Sequence, residues 1–234
     1  MSAIFSLLVL AYLQDCSSTI YYSMPPAFLG LEVGINLPCD DALWRAQTSA
    51  EWYNIQRMPS PYGTGLSRML GTNMQFALAS LEDRGTSVVP YTVSPFASFV
   101  LIHSILRDIF STHNTRTPYG SSLHSHHGGI NGVNMIRWSL HNWQKMWSAD
   151  AETVHSGERI QGLPFVSNAA PFYWLARIAE AAIQKGIITI GPAPSINDME
   201  DRYRLLKAWL VKISSCLRSG SQILLDEFHS HRIR

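Results

Sequence analysis

The chain has 234 residues, a formal net charge of +1 and 46% hydrophobic residues, but only 15% of its residues are charged. Because globular proteins average about 25% charged residues, this composition excludes an extended disordered protein, which needs low hydrophobicity and a high net charge. It also argues against a dedicated nucleic-acid-binding module, whose affinity for phosphates requires an excess of basic residues.

The first predicted element is an apolar helix that begins at Ala3. The run from Ala3 to Leu13 is too short to span a bilayer, which takes about 20 apolar residues. A secretory signal peptide carries basic residues before its apolar run, yet no Lys or Arg precedes Arg45. A buried helix is therefore favoured, and a targeting role for Met1–Leu13 in a secreted helical protein stays as an alternative.

The next predicted helix follows a proline-rich connection. Pro25 and Pro26 must lie outside any helix interior, because proline has no N–H to donate to the helical ladder. Asp40 or Asp41 is expected to cap the helix, since an aspartate side chain accepts a hydrogen bond from a first-turn amide. The apolar residues then recur at helical spacing along one continuous element: Leu43, Ala46, Ala50 and Tyr53.

Two more helices are predicted before the middle of the chain. The apolar spacing from Leu66 to Leu81 indicates one helix. Ser94-Pro95 is a helix start, because serine can accept from the first-turn amides and proline at the first helical position loses nothing. The core positions of that second helix follow at helical spacing: Phe96, Phe99, Val100, Ile102, Leu106, Ile109 and Phe110.

The second half of the chain alternates between polar stretches and helices. Residues 111–132 are rich in Gly, Ser and His and are predicted to form a long flexible loop. Residues 150–170 look irregular, and Pro171 is predicted to open a helix. The apolar positions assigned to the remaining helices are Ile136, Leu140, Trp143 and Trp147, then Phe172, Leu175, Ile178, Ala179 and Ala182, then Met199, Leu206, Leu210, Ile213 and Leu217.

Together these patterns predict an all-α fold. Strand alternation is scarce, and no hairpin signal or internal repeat occurs. We expect residues 1–234 to form a single irregular multi-helix globular domain. It should have about seven or eight helices and one long His/Gly/Ser-rich loop.

Familiar catalytic motifs do not occur in the sequence. It has no phosphate-binding G-x-x-x-x-G-K loop, no G-x-S-x-G elbow and no H-E-x-x-H. The three cysteines, Cys16, Cys39 and Cys216, form no C-x-x-C pair and fit buried thiols in a reducing compartment. The residues therefore predict no catalytic site and no bound cofactor.

Two groups of polar residues leave alternatives open. His124, His126 and His127 could bind zinc or copper and activate water, which would make the chain an all-α metal-dependent enzyme. A flexible polar loop is favoured, since no neighbouring carboxylates would orient the imidazoles. Asp40, Asp41 and Glu51 could act as paired acids and bases, but helix capping accounts for the two aspartates.

Three segments near the N-terminus form a recognisable pattern: Ser23-Met24-Pro25-Pro26-Ala27-Phe28, Leu37-Pro38-Cys39-Asp40-Asp41-Ala42-Leu43-Trp44-Arg45-Ala46 and Ser49-Ala50-Glu51-Trp52. The pattern resembles the fungal-specific transcription factor domain, the helical middle homology region, and most of all members that carry C2H2 zinc fingers near their N-terminus. In that family an apolar helix ending in an acidic residue, here Asp15, precedes the Pro-Pro element. The matching residues are Pro25, Pro26, Leu37, Pro38, Cys39, Leu43, Trp44, Ala46, Glu51 and Trp52.

The resemblance implies a nuclear regulatory domain of a factor that controls RNA polymerase II transcription. Such a domain would act through intramolecular contacts, self-association, other transcription proteins or a small effector, and not at a membrane. None of the zinc-finger ligands is present in these residues, so zinc and DNA contacts are expected only in a preceding region. Met1 aligns inside the family's domain, which implies that the first helices of the domain are missing from this chain.

Overall fold

The computed structural model describes residues 3–22, 24–28, 34–38, 40–84, 92–114, 130–150 and 164–184, together with Arg204, Lys207, Ala208 and Val211. Eight helices lie in these ranges: α1 (Ala3–Tyr22), α2 (Asp41–Arg45), α3 (Ser49–Arg57), α4 (Gly65–Leu70), α5 (Met74–Glu82), α6 (Pro95–Asn114), α7 (Ile130–Ala149) and α8 (Pro164–Gln184). The described residues contain no β-strand, only an isolated antiparallel bridge between Asn36 and Asn73. The predicted all-α multi-helix fold is confirmed.

Helix α6 is the centre of the core. It packs against α1, α7 and α8, and its buried apolar residues occupy every side of the helix, as expected for a helix with no solvent-facing stripe. Ser94 caps it as predicted: the Ser94 Oγ accepts from the Ala97 N–H at 3.2 Å, and Pro95 occupies the first helical position. The largest fully buried α6 side chains are Val100, Leu101, Ile102, Leu106 and Ile109.

Helix α7 joins the core to the N-terminal half of the chain. The Trp143 indole is 1% exposed and donates from Nε1 to the Ser98 carbonyl of α6 at 2.9 Å. The Asn142 side chain donates to the carbonyls of Leu81 and Asp83 at 2.8 and 3.0 Å, which closes the C-terminal end of α5. The two Asn142 bonds satisfy carbonyl groups at the end of α5 that have no partner within that helix.

Helix α1 contributes one face to the core. Val9, Tyr12, Cys16 and Ile20 are buried, while Leu7, Leu8 and Leu10 are exposed on the opposite side. Val9 and Tyr12, near the end of the apolar run, belong to the core cluster. No helix within the described ranges is long and apolar enough to cross a membrane.

Two predicted helices are each interrupted in the structure. The element from Leu66 to Leu81 is divided into α4 and α5, because Gly71 has φ 72° and the residues that follow it pair with an extended segment. The Leu37 N–H donates to the Thr72 carbonyl at 2.7 Å, and the Met74 N–H donates to the Ile35 carbonyl at 3.1 Å. These long-range bonds use backbone groups that a continuous helix would need.

The helix predicted through Leu43, Ala46 and Tyr53 is also divided. Ala46 ends α2 with ψ 119°, outside the helical region. Thr48 then begins α3 with a capping box, in which Thr48 Oγ1 accepts from the Glu51 N–H at 3.1 Å. The Glu51 carboxylate reaches back to the Gln47 N–H at 2.9 Å, one residue before the N-cap amide that a standard capping box uses, so local capping decides the boundary.

The remaining differences concern helix ends. Helix α8 begins at Pro164, not at Pro171, and contains Pro171 in its interior. Packing of the buried Tyr173, Ala176 and Ala179 outweighs the one helical hydrogen bond that Pro171 removes. Of the loop predicted for residues 111–132, residues 111–114 belong to α6 and residues 130–132 belong to α7; residues 115–129 lie outside the described ranges.

The glycine at the start of α4 provides a test of the local backbone. Gly65 has φ 55°, and a methyl group added at its Cα would meet no atom within 4 Å, whereas Gly34 has the same open space without a positive φ. We expect Gly65→Ala to lower the free energy of unfolding by about 1 kcal/mol, because the left-handed region is strained for alanine. Gly34→Ala should leave it within about 0.5 kcal/mol of the parent value. Equal urea midpoints for the two variants would contradict this assignment.

Candidate functional site

The residues of the resemblance pattern are held by two clusters of charged side chains. The first joins α1, the proline-rich segment and α6. Pro25 and Pro26 have no N–H groups, and the next two amides, those of Ala27 and Phe28, donate to Asp15 Oδ1 and Oδ2 at 2.8 and 3.4 Å. The acidic residue in α1 therefore anchors the segment that follows the prolines.

Arg107 of α6 completes this first cluster, which we call the Asp15–Arg107 clasp. Its guanidinium lies 4.0 Å from the Asp15 carboxylate and donates to the Phe28 carbonyl at 3.2 Å. It also lies 5.0 Å from the centre of the Tyr12 ring and 3.3 Å from Asp108. With its side chain only 3% exposed, Arg107 is a buried cation held by two carboxylates, a carbonyl and an aromatic face.

Burial holds the other polar groups around the clasp in their neutral forms. Loss of solvent raises the pKa of the Cys16 thiol to about 12 and also raises the pKa of Tyr12, although Arg107 opposes both shifts. The Tyr12 hydroxyl donates to the Ser104 Oγ at 3.0 Å. Because a thiol rather than a thiolate is present, Cys16 has the character of a buried structural cysteine.

The second cluster is centred on Asp40 and Arg68 and is called the Asp40–Arg68 clasp. Asp40 Oδ1 caps α2 by accepting from the Ala42 N–H at 2.9 Å, as the sequence predicts. Its Oδ2 accepts from Ser60 Oγ at 2.7 Å and from the Arg68 guanidinium at 2.6 and 2.8 Å. The Arg68 side chain is 3% exposed and the Asp40 side chain is 5% exposed, so the pair is desolvated.

The same arginine closes the C-terminal end of α3. Arg68 Nη1 donates to the carbonyls of Ile55, Gln56 and Met58 at 2.8, 3.2 and 2.7 Å. Helix α3 has no fully buried residue of its own. Its position therefore depends more on this guanidinium than on apolar packing.

Between the clasps, the Leu37-Pro38 segment lies against the start of α6. Leu37 is 1% exposed, and the Ser94 Oγ that caps α6 also donates to the Pro38 carbonyl at 3.3 Å. Asp41 lies beside the same helix start and is buried, and neither of its carboxylate oxygens makes a hydrogen bond to the described residues. Loss of solvent raises its pKa to about 6.

The other residues of the pattern are placed at several levels of burial. Leu43 is buried, Ala46 and Pro26 are half-buried, and Pro25 is exposed. Trp52 is half-buried and packs edge to face on Tyr53 with 5.3 Å between ring centres. Cys39, the Trp44 side chain and the candidate metal ligands His124, His126 and His127 lie outside the described residues.

Glu51 and His103 have structural partners. Glu51 belongs to the capping box of α3 and lies on a separate helix from Asp40 and Asp41. His103 is buried between Phe99 and Phe172, with ring centres 4.2 and 4.1 Å away, and its Nδ1 is 2.8 Å from the Phe99 carbonyl. Burial lowers the pKa of His103, which favours the neutral imidazole. Within the described ranges, no three His, Cys, Asp or Glu residues are grouped as a metal site.

Sequence reasoning did not identify Arg68 and Arg107 as the partners of the two acidic residues. Each arginine lies within an apolar helical pattern. Arg68 precedes Met69 and Leu70, and Arg107 lies between Leu106 and Ile109. A basic residue inside such a pattern must be paired when it is buried. That signal predicts a buried ion pair, although it does not say which carboxylate takes part.

Comparison of the chain with protein-family models, with curated proteins and with solved structures gives no match.

Proposed function

We propose that this chain is the helical regulatory domain of a fungal zinc-finger transcription factor that controls RNA polymerase II transcription in the nucleus. The observation that carries the proposal is the order of the pattern from Asp15 through Pro25-Pro26 and Leu37-Pro38 to Glu51-Trp52. The contacts support it, because Asp15 and Asp40 each have a defined structural task. These tasks explain why an acidic residue accompanies the prolines and why another follows Leu-Pro-Cys.

In this proposal the chain itself does not contact DNA. It has 18 basic and 17 acidic residues, so it lacks the positive excess that neutralises phosphates. The zinc and the DNA contacts belong to a region outside these 234 residues. The helical domain acts on that region through intramolecular contacts, self-association, binding of other transcription proteins or binding of a small effector.

A tethering experiment tests the regulatory role. The chain is fused to a bacterial operator-binding domain and expressed in fungal cells with a reporter gene behind the operator. We expect the fusion to change reporter transcription several-fold relative to the operator-binding domain alone. The same fusion carrying Arg68→Met is the control, because we expect this substitution to unfold the clasp around α3.

Two results together would overturn the proposal. One is a folded fusion that leaves the reporter unchanged. The other is a transcript whose 5′ end encodes no zinc-finger ligands and whose product is secreted. Mapping the 5′ end of the transcript and fractionating cells that express a tagged chain supply the second result.

The charge balance gives a separate prediction for the isolated chain. We expect no shift of duplex DNA in a gel at physiological salt. The 18 lysines and arginines are balanced by 17 acidic residues, so the chain has no positive excess to displace counterions from the DNA. A fusion of the chain to the operator-binding domain provides the positive control. A shift by the isolated chain that weakens with added salt would contradict this prediction.

A further inference from the structure

Asp41 is a buried carboxyl group that has no hydrogen bond to any residue the structure describes. It is 5% exposed, and neither carboxylate oxygen has a hydrogen-bond partner in the part of the chain that the structure describes. Buried carboxylates are normally paired or hydrogen-bonded, because an ionised group without partners is costly to remove from water. A protonated carboxyl avoids that cost.

The groups around Asp41 come from α2 and α6. On α6, the Ser94 hydroxyl and the Phe96 backbone N–H favour the charged form, but neither meets the geometry of a hydrogen bond to it. The Ser94 Oγ is already used by the Pro38 carbonyl and the Ala97 N–H. On the α2 side, Arg45 favours the charged form of Asp41.

Asp41 has no strong cationic partner among the described residues, because the adjacent Asp40 carboxylate binds the guanidinium that could serve as one. Asp40 disfavours a second negative charge at Asp41. The Arg68 guanidinium that could compensate is bound to Asp40 and to three carbonyls at the end of α3. Two neighbouring aspartates therefore have different roles: Asp40 is the paired anion of the clasp, and Asp41 is a buried carboxyl outside it.

We propose that Asp41 is a proton-binding residue that makes the docking of α2 against the start of α6 depend on pH. Helix α2 has only five residues. The Asp40–Arg68 clasp holds the chain just before it, so we expect ionisation of Asp41 to open α2 locally while the clasp stays in place. This property concerns the fold of the isolated chain and does not depend on the proposed regulatory role.

The direction of the effect follows from burial. Loss of solvent in the docked state raises the pKa of Asp41 to about 6. Docking is therefore strongest when the carboxyl is protonated and weakens as the pH rises through 6. A pKa near 6, compared with about 4 for a free aspartate, corresponds to about a hundredfold change in the ratio of docked to released α2 over the whole pH range. About tenfold of that change falls between pH 5 and pH 8.

Global unfolding does not isolate this effect, because His103 acts in the opposite direction. Its pKa is lowered by burial, so its contribution to stability is lost as the pH falls below that of a free histidine. The measurement must therefore be local. Hydrogen exchange of the backbone amides from Ala42 to Arg45, corrected for the intrinsic pH dependence, reports the opening of α2 alone.

In the wild-type chain we expect the corrected protection of these amides to fall about tenfold from pH 5 to pH 8. In Asp41→Asn the protection should stay high and vary by less than twofold, since the amide cannot ionise. Asp83→Asn is the matched control, because Asp83 is an exposed aspartate at the end of α5; this variant should keep the wild-type profile.

Two outcomes would overturn the proposal. One is a wild-type protection that does not change between pH 5 and pH 8, and the other is an Asp41→Asn variant with the wild-type profile. A ¹³C NMR titration of the wild-type aspartates is a second measurement that needs no variant to fold. An Asp41 carboxyl that titrates below pH 4.5 would reject the proposal, and one that titrates near pH 6 would support it.

Discussion

Replacing Arg68 by methionine is expected to lower the free energy of unfolding by about 3 to 5 kcal/mol. The substitution leaves Asp40 as a buried carboxylate whose Oδ2 keeps only the Ser60 hydroxyl among its described partners. It also removes the donor from three carbonyls at the end of α3. Urea unfolding followed by tryptophan fluorescence measures the loss, and hydrogen exchange should show that α3 loses protection first.

Arg57→Met is the matched control for this prediction. Arg57 is an exposed arginine in the last turn of α3, so its replacement should change stability by at most about 0.5 kcal/mol. The double variant Asp40→Asn/Arg68→Met should be more stable than Arg68→Met alone, because it no longer contains an unpaired buried charge. Equal losses for Arg57→Met and Arg68→Met would show that the clasp contributes nothing specific.

The contacts in the clasps also indicate what the acidic residues of the resemblance pattern do in this chain. Asp15 and Asp40 bind backbone groups and arginines inside the protein, and Glu51 caps a helix. Their substitution is expected to weaken the fold first. In the tethering experiment Arg68→Met therefore tests only whether the folded domain is required, and a partner surface has to be located with variants that keep the fold.

Local chemistry in the sequence was sufficient to predict two helix starts. Ser94-Pro95 defines the beginning of α6, and Asp40 caps α2, because each cap depends on residues at most three positions away. The apolar spacing of α6 also identifies the central helix. These features need no information about the rest of the fold.

Interactions between distant residues account for one of the two helix breaks that the sequence did not predict. The break at Gly71 depends on pairing of residues 35–37 with residues 72–74, which helical periodicity does not contain. The break before Thr48 is different, because its capping box is visible in the sequence. There the apolar spacing of Leu43, Ala46 and Ala50 favoured one helix, and the local cap prevailed in the structure.

The partners in the two clasps are the least predictable part of the candidate site. Arg68 lies 28 residues from Asp40, and Arg107 reaches both Asp15 and the Phe28 carbonyl from α6. The chain has 18 basic residues that could pair with these two aspartates. Only the packing of the helices determines which guanidinium meets which carboxylate.

The second large effect is expected at Arg107. Methionine fills much of the volume of the arginine side chain, but Arg107→Met removes the cation from Asp15, from the Tyr12 ring and from the Phe28 carbonyl. We expect a loss of about 3 to 5 kcal/mol in the free energy of unfolding. The amides of Ala27 and Phe28 should also exchange faster, because their acceptor Asp15 has then lost its cation and the Phe28 carbonyl has lost its donor.

Arg84→Met is the control, since Arg84 is an exposed arginine that follows α5, and its stability should match that of the parent chain within about 0.5 kcal/mol. Arg107→Lys separates charge from geometry. A lysine keeps the cation near Asp15, but its single ammonium cannot also reproduce the planar contacts to Tyr12 and the Phe28 carbonyl. We expect an intermediate stability with fast exchange at Ala27 and Phe28. Full recovery by lysine would show that charge alone maintains the clasp and that the Phe28 contact adds nothing to it.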